Sequence, residues 1–277
     1  MNKIGIVVNE KKSGAAGLLP KLRNWLGKRE AEVLDTTSRS VEEVLAHAEL
    51  ILCLGGDGTL LSVAGQMKEK SVPVLGVNLG ALGFLTEVKE SEVFEELAAC
   101  FLGRSQIEER LMLSASARSD KTKKERRLLA LNDIVVSREG LSRMLHMEVR
   151  VSGEKLTSFA GDGVIVATPT GSTAYSLSAG GAVIQPSVEA MIITPICPHA
   201  SALRPMVVAS DEKISVRIQT PVGEGGKALL TADGQEKFEI DDSYSVEITR
   251  SSTPLKLVKS SKRSYFATLR ENFKFPA

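Results

Sequence analysis

Short apolar runs alternate with helix-periodic segments over about the first hundred residues. Ile4-Gly5-Ile6-Val7-Val8 reads as a buried strand. Leu18, Leu19, Leu22, Trp25 and Leu26 follow at helical spacing, up to a stop at Gly27. Ala31-Glu32-Val33-Leu34 is a second strand, and Val41, Val44 and Leu45 mark a short helix. The run Glu49-Leu50-Ile51-Leu52-Cys53-Leu54 is a third strand, and Val72 to Val77 a fourth. From Ser91 to Leu102, Val93, Phe94, Leu97, Ala98 and Phe101 fall on one helical face. Strands alternating with helices predict a parallel sheet covered by helices on both faces. In such sheets ligands sit beyond the carboxyl ends of the strands.

The period changes near residue 107. Leu111 to Ala117, Met147 to Val151, Ile214 to Ile218 and Tyr244 to Ile248 alternate apolar and polar residues with period two, and helical patterns nearly vanish until residue 258. Ser264 to Phe273 is helical again. The predicted fold is an α/β N-terminal domain with a parallel sheet, plus a β-rich C-terminal domain. The last helix returns to the first domain. The expected boundaries are 1–107 with 258–277 for the first domain and 108–257 for the second.

With 277 residues, 43% apolar, 25% charged and a formal net charge of +1, the composition is that of a soluble globular protein. Near-neutral charge argues against nucleic acid or an anionic membrane as the main partner. The basic run Lys121 to Arg127 reads as a solvated hairpin loop. Cys53, Cys100 and Cys197 are far apart and odd in number, which argues against a disulfide framework or a zinc site. His47, His146 and His199 show no ligand spacing and read as structural or surface residues. No signal peptide or membrane-length apolar run is present, so the expected compartment is the cytosol.

Chemistry concentrates at Gly55-Gly56-Asp57-Gly58-Thr59, placed between the third strand and a helix that begins near Leu60. A helix N-terminus offers unpaired N–H groups and a positive dipole end to phosphate, and glycines let a phosphate chain approach the backbone. A carboxylate at the centre of such a turn suits proton abstraction from an attacking hydroxyl, or help in holding a divalent cation. This points to phosphoryl transfer.

Asn78 to Leu85 follows the fourth strand; its glycines allow a close-fitting loop next to this turn, and Asn78 could contact ligand. Asn132-Asp133 opens the strand Ile134-Val135-Val136. Such a pair can read a base edge and a ribose diol, or be a plain turn. Gly161-Asp162-Gly163 precedes Val164 to Ala167. Thr168 to Gly181 then packs six Ser/Thr hydroxyls and Tyr175 into one loop, which would suit hydrogen bonding to sugar, phosphate and base. Asp233-Gly234-Gln235 reads as a hairpin turn. There is no GxxxxGK[ST] loop, and no GxGxxG follows a strand.

Taken together, GGDGT at 55–59, NLGALGFL at 78–85, LND at 131–133, GDG at 161–163, TPTGSTAYSLSAGG at 168–181 and CPHASALRP at 197–205 resemble the NAD kinases over nearly the whole chain. GGDGT alone is shared with diacylglycerol, sphingosine and 6-phosphofructo-kinases; the TPTGSTAYS segment with the downstream PHxxxxRP is the more specific part. The resemblance implies transfer of the γ-phosphate of ATP to the 2′-hydroxyl of the adenosine ribose of NAD, giving NADP. It implies Asp57 as proton acceptor and Gly55, Gly56, Gly58 and Thr59 as the phosphate loop.

As dinucleotide contacts it implies Asp57, Gly58, Asn132, Asp133, Arg143, Ala160, Asp162, Thr170, Thr173, Ala174, Tyr175, Ser176, Leu177, Ser178 and Gln235. Relatives more often carry Glu at position 133 and Arg or Lys at position 160. The β-rich half is then the NAD-binding domain. A divalent cation, Mg²⁺ bound with ATP, and assembly as a homodimer or homotetramer are implied too. A lipid or sugar kinase would need a different second half. A third reading is a non-catalytic NAD(P)-binding sensor, which loss of the carboxylate at position 57 would favour; Asp57 is present.

Overall fold

The computed structural model describes residues 1–67, 70–80, 83–140, 144–200, 202–219 and 227–274. The chain divides into two units, Met1–Glu109 with Leu255–Ala277, and Arg110–Pro254.

The first unit is built on strands β1 (Lys3–Val8), β2 (Glu32–Asp35), β3 (Leu50–Gly55), β4 (Val74–Asn78), β5 (Val88–Lys89) and β6 (Ile107–Arg110), with the last strand of the chain, β19 (Leu255–Val258). They run in the order β2-β1-β3-β4-β19-β6, with β5 also paired to β4. The pairs β1–β2, β1–β3, β3–β4, β4–β19 and β4–β5 are all parallel. Helices α1 (Ser13–Gly27), α2 (Val41–His47), α3 (Asp57–Gln66) and α4 (Val93–Phe101) alternate with the strands, and the final helix, α6 (Tyr265–Phe273), closes the unit.

Every residue of β3 is buried, which is why that segment reads as an unbroken apolar run. The apolar stripe of α1 (Leu18, Leu19, Leu22 and Leu26) packs with Ile4, Ile6, Leu52 and Leu54. Trp25 meets Phe94 and Phe101 of α4 at ring separations of 6.0 and 5.7 Å.

The strand order reverses between β1 and β3, the switch point at which α/β sheets place their ligands. The carboxyl ends there are joined by backbone bonds: Asn9 N–H donates to Leu54 O (2.9 Å) and Leu79 N–H to Gly55 O (2.8 Å). Helix α3 starts at Asp57, three residues before the apolar pattern begins at Leu60, because the glycines ahead of it carry no periodicity.

The returning segment is pinned by charge. Buried Lys259 pairs with buried Glu87, and the Arg263 guanidinium forks onto Glu92 at 2.7 and 2.9 Å. Glu96 interrupts the buried face of α4. It is satisfied there by Ser261, whose N–H and hydroxyl donate to it at 2.8 and 2.7 Å.

The second unit is two six-stranded antiparallel sheets, built from β7 (Leu113–Ser119), β8 (Glu125–Ala130), β9 (Asp133–Arg138), β10 (Leu145–Val151), β11 (Glu154–Gly161), β12 (Gly163–Ala167), β13 (Ala190–Ile196), β14 (Met206–Ala209), β15 (Ile214–Ile218), β16 (Ala228–Ala232), β17 (Glu236–Ile240) and β18 (Tyr244–Arg250). Their orders are β11-β10-β15-β18-β7-β8 and β14-β13-β12-β9-β16-β17. The period-two segments, β7, β10, β15 and β18, all fall in the first sheet, which buries one face.

Strands β9, β12 and β13 lie in the second sheet, and their runs 134–136, 164–167 and 190–193 are apolar because both faces are covered. Ile134, Val136, Val164, Val166, Met191 and Ile193 join the core shared with the first sheet. Val135, Ile165, Ala167, Ile192 and Ile196 pack with Ile184 on the other side. The segment leading to Ile184 contains a 3₁₀ turn (Gly171–Thr173) and the single-turn helix α5 (Tyr175–Ser178). The chain crosses from the first sheet to the second at Asp162, between β11 and β12. The basic run sits where β7 turns into β8, with Arg126 and Arg127 exposed.

Candidate active site

Asp57 is the first residue of α3, preceded by Gly56 with no side-chain cap. Its carboxylate is half-buried and held by four donors. Phe84 N–H reaches Oδ2 at 2.8 Å; Leu85 N–H, Thr86 N–H and the Thr86 hydroxyl reach Oδ1 at 3.2, 2.9 and 2.9 Å. The loop closes over the carboxylate at Gly83, where a Cβ would stand 2.5 Å from Asp57 Cγ.

The five residues of the turn divide the work. Gly55 packs inward, and a Cβ there would lie 2.9 Å from Thr59 Cβ. Gly56 and Gly58 face open space, where a phosphate could come up to the backbone. Thr59 Oγ1 accepts from Asn9 Nδ2 at 3.3 Å, tying the turn to the end of β1. Asn78, read from sequence as a possible ligand contact, is buried. Its Oδ1 accepts from Gly80 N–H at 2.6 Å and its Nδ2 donates to Thr86 Oγ1 at 3.0 Å. Burial pushes the Cys53 thiol up, in keeping with a plain core residue.

In the second unit, Asp233 organises the Leu131-Asn132-Asp133 segment. Its carboxylate accepts all three of their N–H groups, at 2.8, 2.7 and 3.0 Å. Asp233 and Gly234 sit at φ 52° and 63° in the tight turn between β16 and β17, so the hairpin reading of this turn is right but incomplete. Asp133 is buried beside it. Burial first, and the neighbouring Asp233 charge second, raise its carboxyl to about 7. Burial also raises Asp233.

Asn132 is half-buried, and its carbonyl accepts Thr168 N–H at 2.9 Å. A Cβ at Gly171 would fall 2.5 Å from Asn132 Cα, so the two segments need that glycine to approach. Asp162 is gripped by Arg138 through Nε to Oδ1 at 2.7 Å. Ala160 is half-buried, and its carbonyl accepts His199 N–H at 2.7 Å.

The hydroxyl-rich loop differs from the sequence reading. Its buried hydroxyls bind their own fold, because the loop covers a sheet face and its backbone groups need partners away from water. Thr168 donates to Leu131 O at 2.6 Å, Ser172 to Pro169 O at 2.6 Å, and Ser176 shares a 2.8 Å bond with Thr194. Thr170 is buried and accepts from Arg110 at 3.3 Å, while the Thr173 hydroxyl donates to Thr170 O at 3.2 Å.

The exposed part of this loop is Tyr175, 47% accessible, with Ser178; Ala174 and Leu177 are half-exposed. Gln235 is exposed at the end of the β16–β17 turn. Arg143, Ala81 and Leu82 lie outside the described residues. Gly83 is one of the glycines read from sequence as allowing a close-fitting loop beside the Asp57 turn, and it lies against that carboxylate. Sequence reasoning missed Thr86 and Asp233, which are 29 residues beyond Asp57 and 100 beyond Asp133, so no local spacing marks them.

Among the described residues no group of three or more His, Cys, Asp or Glu side chains is placed to hold a metal ion. No helix among them is long and apolar enough to cross a membrane.

The family model described as ATP-NAD kinase N-terminal domain matches residues 26–105, and that of the ATP-NAD kinase C-terminal domain matches residues 131–260. An NAD kinase of Moorella thermoacetica is 39% identical over 99% of this chain and 90% of its own length; one of Geotalea daltonii is 39% identical over 99% of each. Among solved structures, yeast NADH kinase complexed with NADH superposes with a TM-score of 0.91 at 22% identity, covering 99% of this chain and 88% of that one, a likeness of fold. An NAD kinase from Archaeoglobus fulgidus in complex with ATP gives a TM-score of 0.79 at 28% identity, covering 99% and 98%. With both halves of the chain matched, and relatives at this identity over nearly its full length, the protein belongs to the ATP-NAD kinase family.

Proposed function

We infer that this chain is an NAD kinase, transferring the γ-phosphate of ATP to the 2′-hydroxyl of the adenosine ribose of NAD to give NADP and ADP. The observation that carries the reaction type is the Asp57 carboxylate, fixed by four donors on a glycine turn whose Gly56 and Gly58 face open space. A ribose hydroxyl is a weak nucleophile at neutral pH. A fixed acceptor for its proton and a charge-stabilised phosphate are what transfer needs. Asp57 takes that proton. The N–H groups around Gly55, Gly56, Gly58 and Thr59 meet phosphate oxygens at the positive end of α3.

In the β-rich unit, Asn132 and Asp133 grip base and ribose. Asp133 keeps the carboxyl group of the more usual Glu with a shorter reach. Asp162, presented on Arg138, Thr170, Thr173 and the backbone of Ala174 to Ser178 complete the dinucleotide contacts. Tyr175 supplies a ring for stacking and Gln235 an amide. Ser176 contributes through its backbone, since its hydroxyl is committed to Thr194. Ala160 can offer only backbone or methyl contact. Arg143 completes the set in this reading.

A divalent cation, Mg²⁺ carried by the ATP phosphates, supplies charge neutralisation at the transferring group. The described part of the chain offers no cage of its own. Assembly as a homodimer or homotetramer and a cytoplasmic location complete the proposal.

The test is incubation of purified protein with NAD and Mg-ATP, with the product read by an NADP-specific dehydrogenase. NADP formation dependent on both substrates is expected. Well-folded protein that binds NAD but makes no NADP would refute the kinase reading and favour a dinucleotide sensor.

A further inference from the structure

Asp57 does not hold its own orientation. Its Oδ1 takes three donors, two of them from Thr86, and its Oδ2 takes one, from Phe84 N–H. A carboxylate offers about four lone-pair sites on its two oxygens, so Oδ1 is saturated and Oδ2 keeps acceptor capacity. The Thr86 hydroxyl has one proton to give. It spends that proton on Asp57 because the buried Asn78 amide donates to the same oxygen at 3.0 Å and takes up its accepting side. Asn78 is itself oriented by Gly80 N–H on its Oδ1 at 2.6 Å, which makes its nitrogen the end facing Thr86. A directed chain therefore runs from Asn78 through Thr86 to Asp57 Oδ1, and all three side chains belong to one unit.

We propose that Thr86 and Asn78 are positioning residues for phosphoryl transfer, locking the Asp57 carboxylate so that Oδ2 presents its remaining lone pair to the attacking hydroxyl. The inference rests on the kinase reading and on Asp57 as proton acceptor. Both side chains are buried and committed to one another, to Gly80 and to Asp57. Both act through the angle at which Asp57 meets the hydroxyl, an angle to which a positioned acceptor is sensitive. The proton passes from the ribose 2′-hydroxyl to Oδ2 as the new O–P bond forms and the bond from the γ-phosphorus to the ADP oxygen breaks. The Thr86 proton stays where it is.

The experiment measures kcat and KM for NAD, with melting temperature, in wild type, Thr86→Val, Thr86→Ser, Asn78→Asp and Asp57→Asn. Thr86→Val keeps the side-chain shape and the backbone N–H and removes only the hydroxyl. It is expected to lower kcat about 10- to 100-fold with KM for NAD within about threefold. Thr86→Ser restores the donor and should recover most of the turnover. Asn78→Asp keeps the acceptor for Gly80 but offers Thr86 a competing carboxylate, so kcat should fall again without loss of NAD affinity.

Thr86→Val with wild-type kcat while Asp57→Asn is inactive would overturn the positioning role and leave the kinase reading intact. So would a kcat loss that Thr86→Ser fails to restore, or one that follows the fall in melting temperature across the series. A wild type that makes no NADP would instead overturn the reading on which the proposal stands.

Discussion

At the scale of single residues, Asp57 stands out in the sequence because its setting is local: a carboxylate among glycines between a strand and a helix has few structural uses. What holds it was not legible. The donors at Phe84, Leu85 and Thr86 arrive from the loop after the next strand. The glycines of that loop are legible as a close fit beside the turn, but that a Cβ at Gly83 would meet the carboxylate itself shows only in the fold. Gly83→Ala should therefore push Asp57 aside and cost about tenfold or more in kcat, with NAD binding little changed; steady-state kinetics checks this.

Asp133 gives a prediction with a sign. Its folded-state value, about 7, lies above the ordinary aspartate value of 3.8, so the folded protein holds that proton more tightly than the unfolded chain. This group's contribution to stability falls as pH rises from about 4 to about 7. If the ionised carboxylate accepts from the ribose, NAD affinity measured without ATP should rise between about pH 6 and about pH 8. Asp133→Asn should flatten that dependence in titration calorimetry, and an unchanged slope in the variant would assign the titration elsewhere.

At the scale of elements, the change from helical to period-two spacing distinguished the α/β N-terminal part from the β-rich C-terminal part. The alternating segments β7, β10, β15 and β18 lie in the sheet with one buried face, while the apolar runs of β9, β12 and β13 are covered on both sides. The loop from Thr168 to Gly181 shows where composition misleads. Its hydroxyl content suggested ligand contacts, yet Thr168, Ser172 and Ser176 serve as internal caps that let an irregular segment pack over β9, β12 and β13. An excess of Ser and Thr is what both a polar pocket and a buried loop require, so only burial separates the two. Ser176→Ala should then leave KM for NAD within about twofold and lower the melting temperature, since Thr194 loses its partner. A large rise in KM with unchanged stability would return Ser176 to the ligand.

At the scale of the molecule, the sequence showed that the chain ends in a helix but not what draws it back. Lys259, Ser261 and Arg263 bind Glu87, Glu96 and Glu92, all more than 160 residues earlier. The Arg263 guanidinium holds the Glu92 carboxyl well below its ordinary value, at about 2, against the cost of partial burial. A depressed folded value means this stability is present above the unfolded value of 4.5 and is lost as pH falls from there toward about 2. Glu92→Gln should destabilise the first unit at neutral pH by on the order of 3 kcal/mol. It should also weaken the dependence of melting temperature on pH below about 4.5, which calorimetric scans would resolve.

The central claim is that the turn at Gly55 to Thr59 performs phosphoryl transfer through Asp57. It is tested most directly by comparing NAD dissociation constants and turnover with Mg-ATP in wild type and Asp57→Asn. The amide keeps the size of the carboxylate and loses its charge. The account predicts NAD binding within a few-fold of wild type and NADP formation lower by roughly two to four orders of magnitude. An Asp57→Asn protein that retains most of its turnover would remove Asp57 from the chemistry and contradict the account.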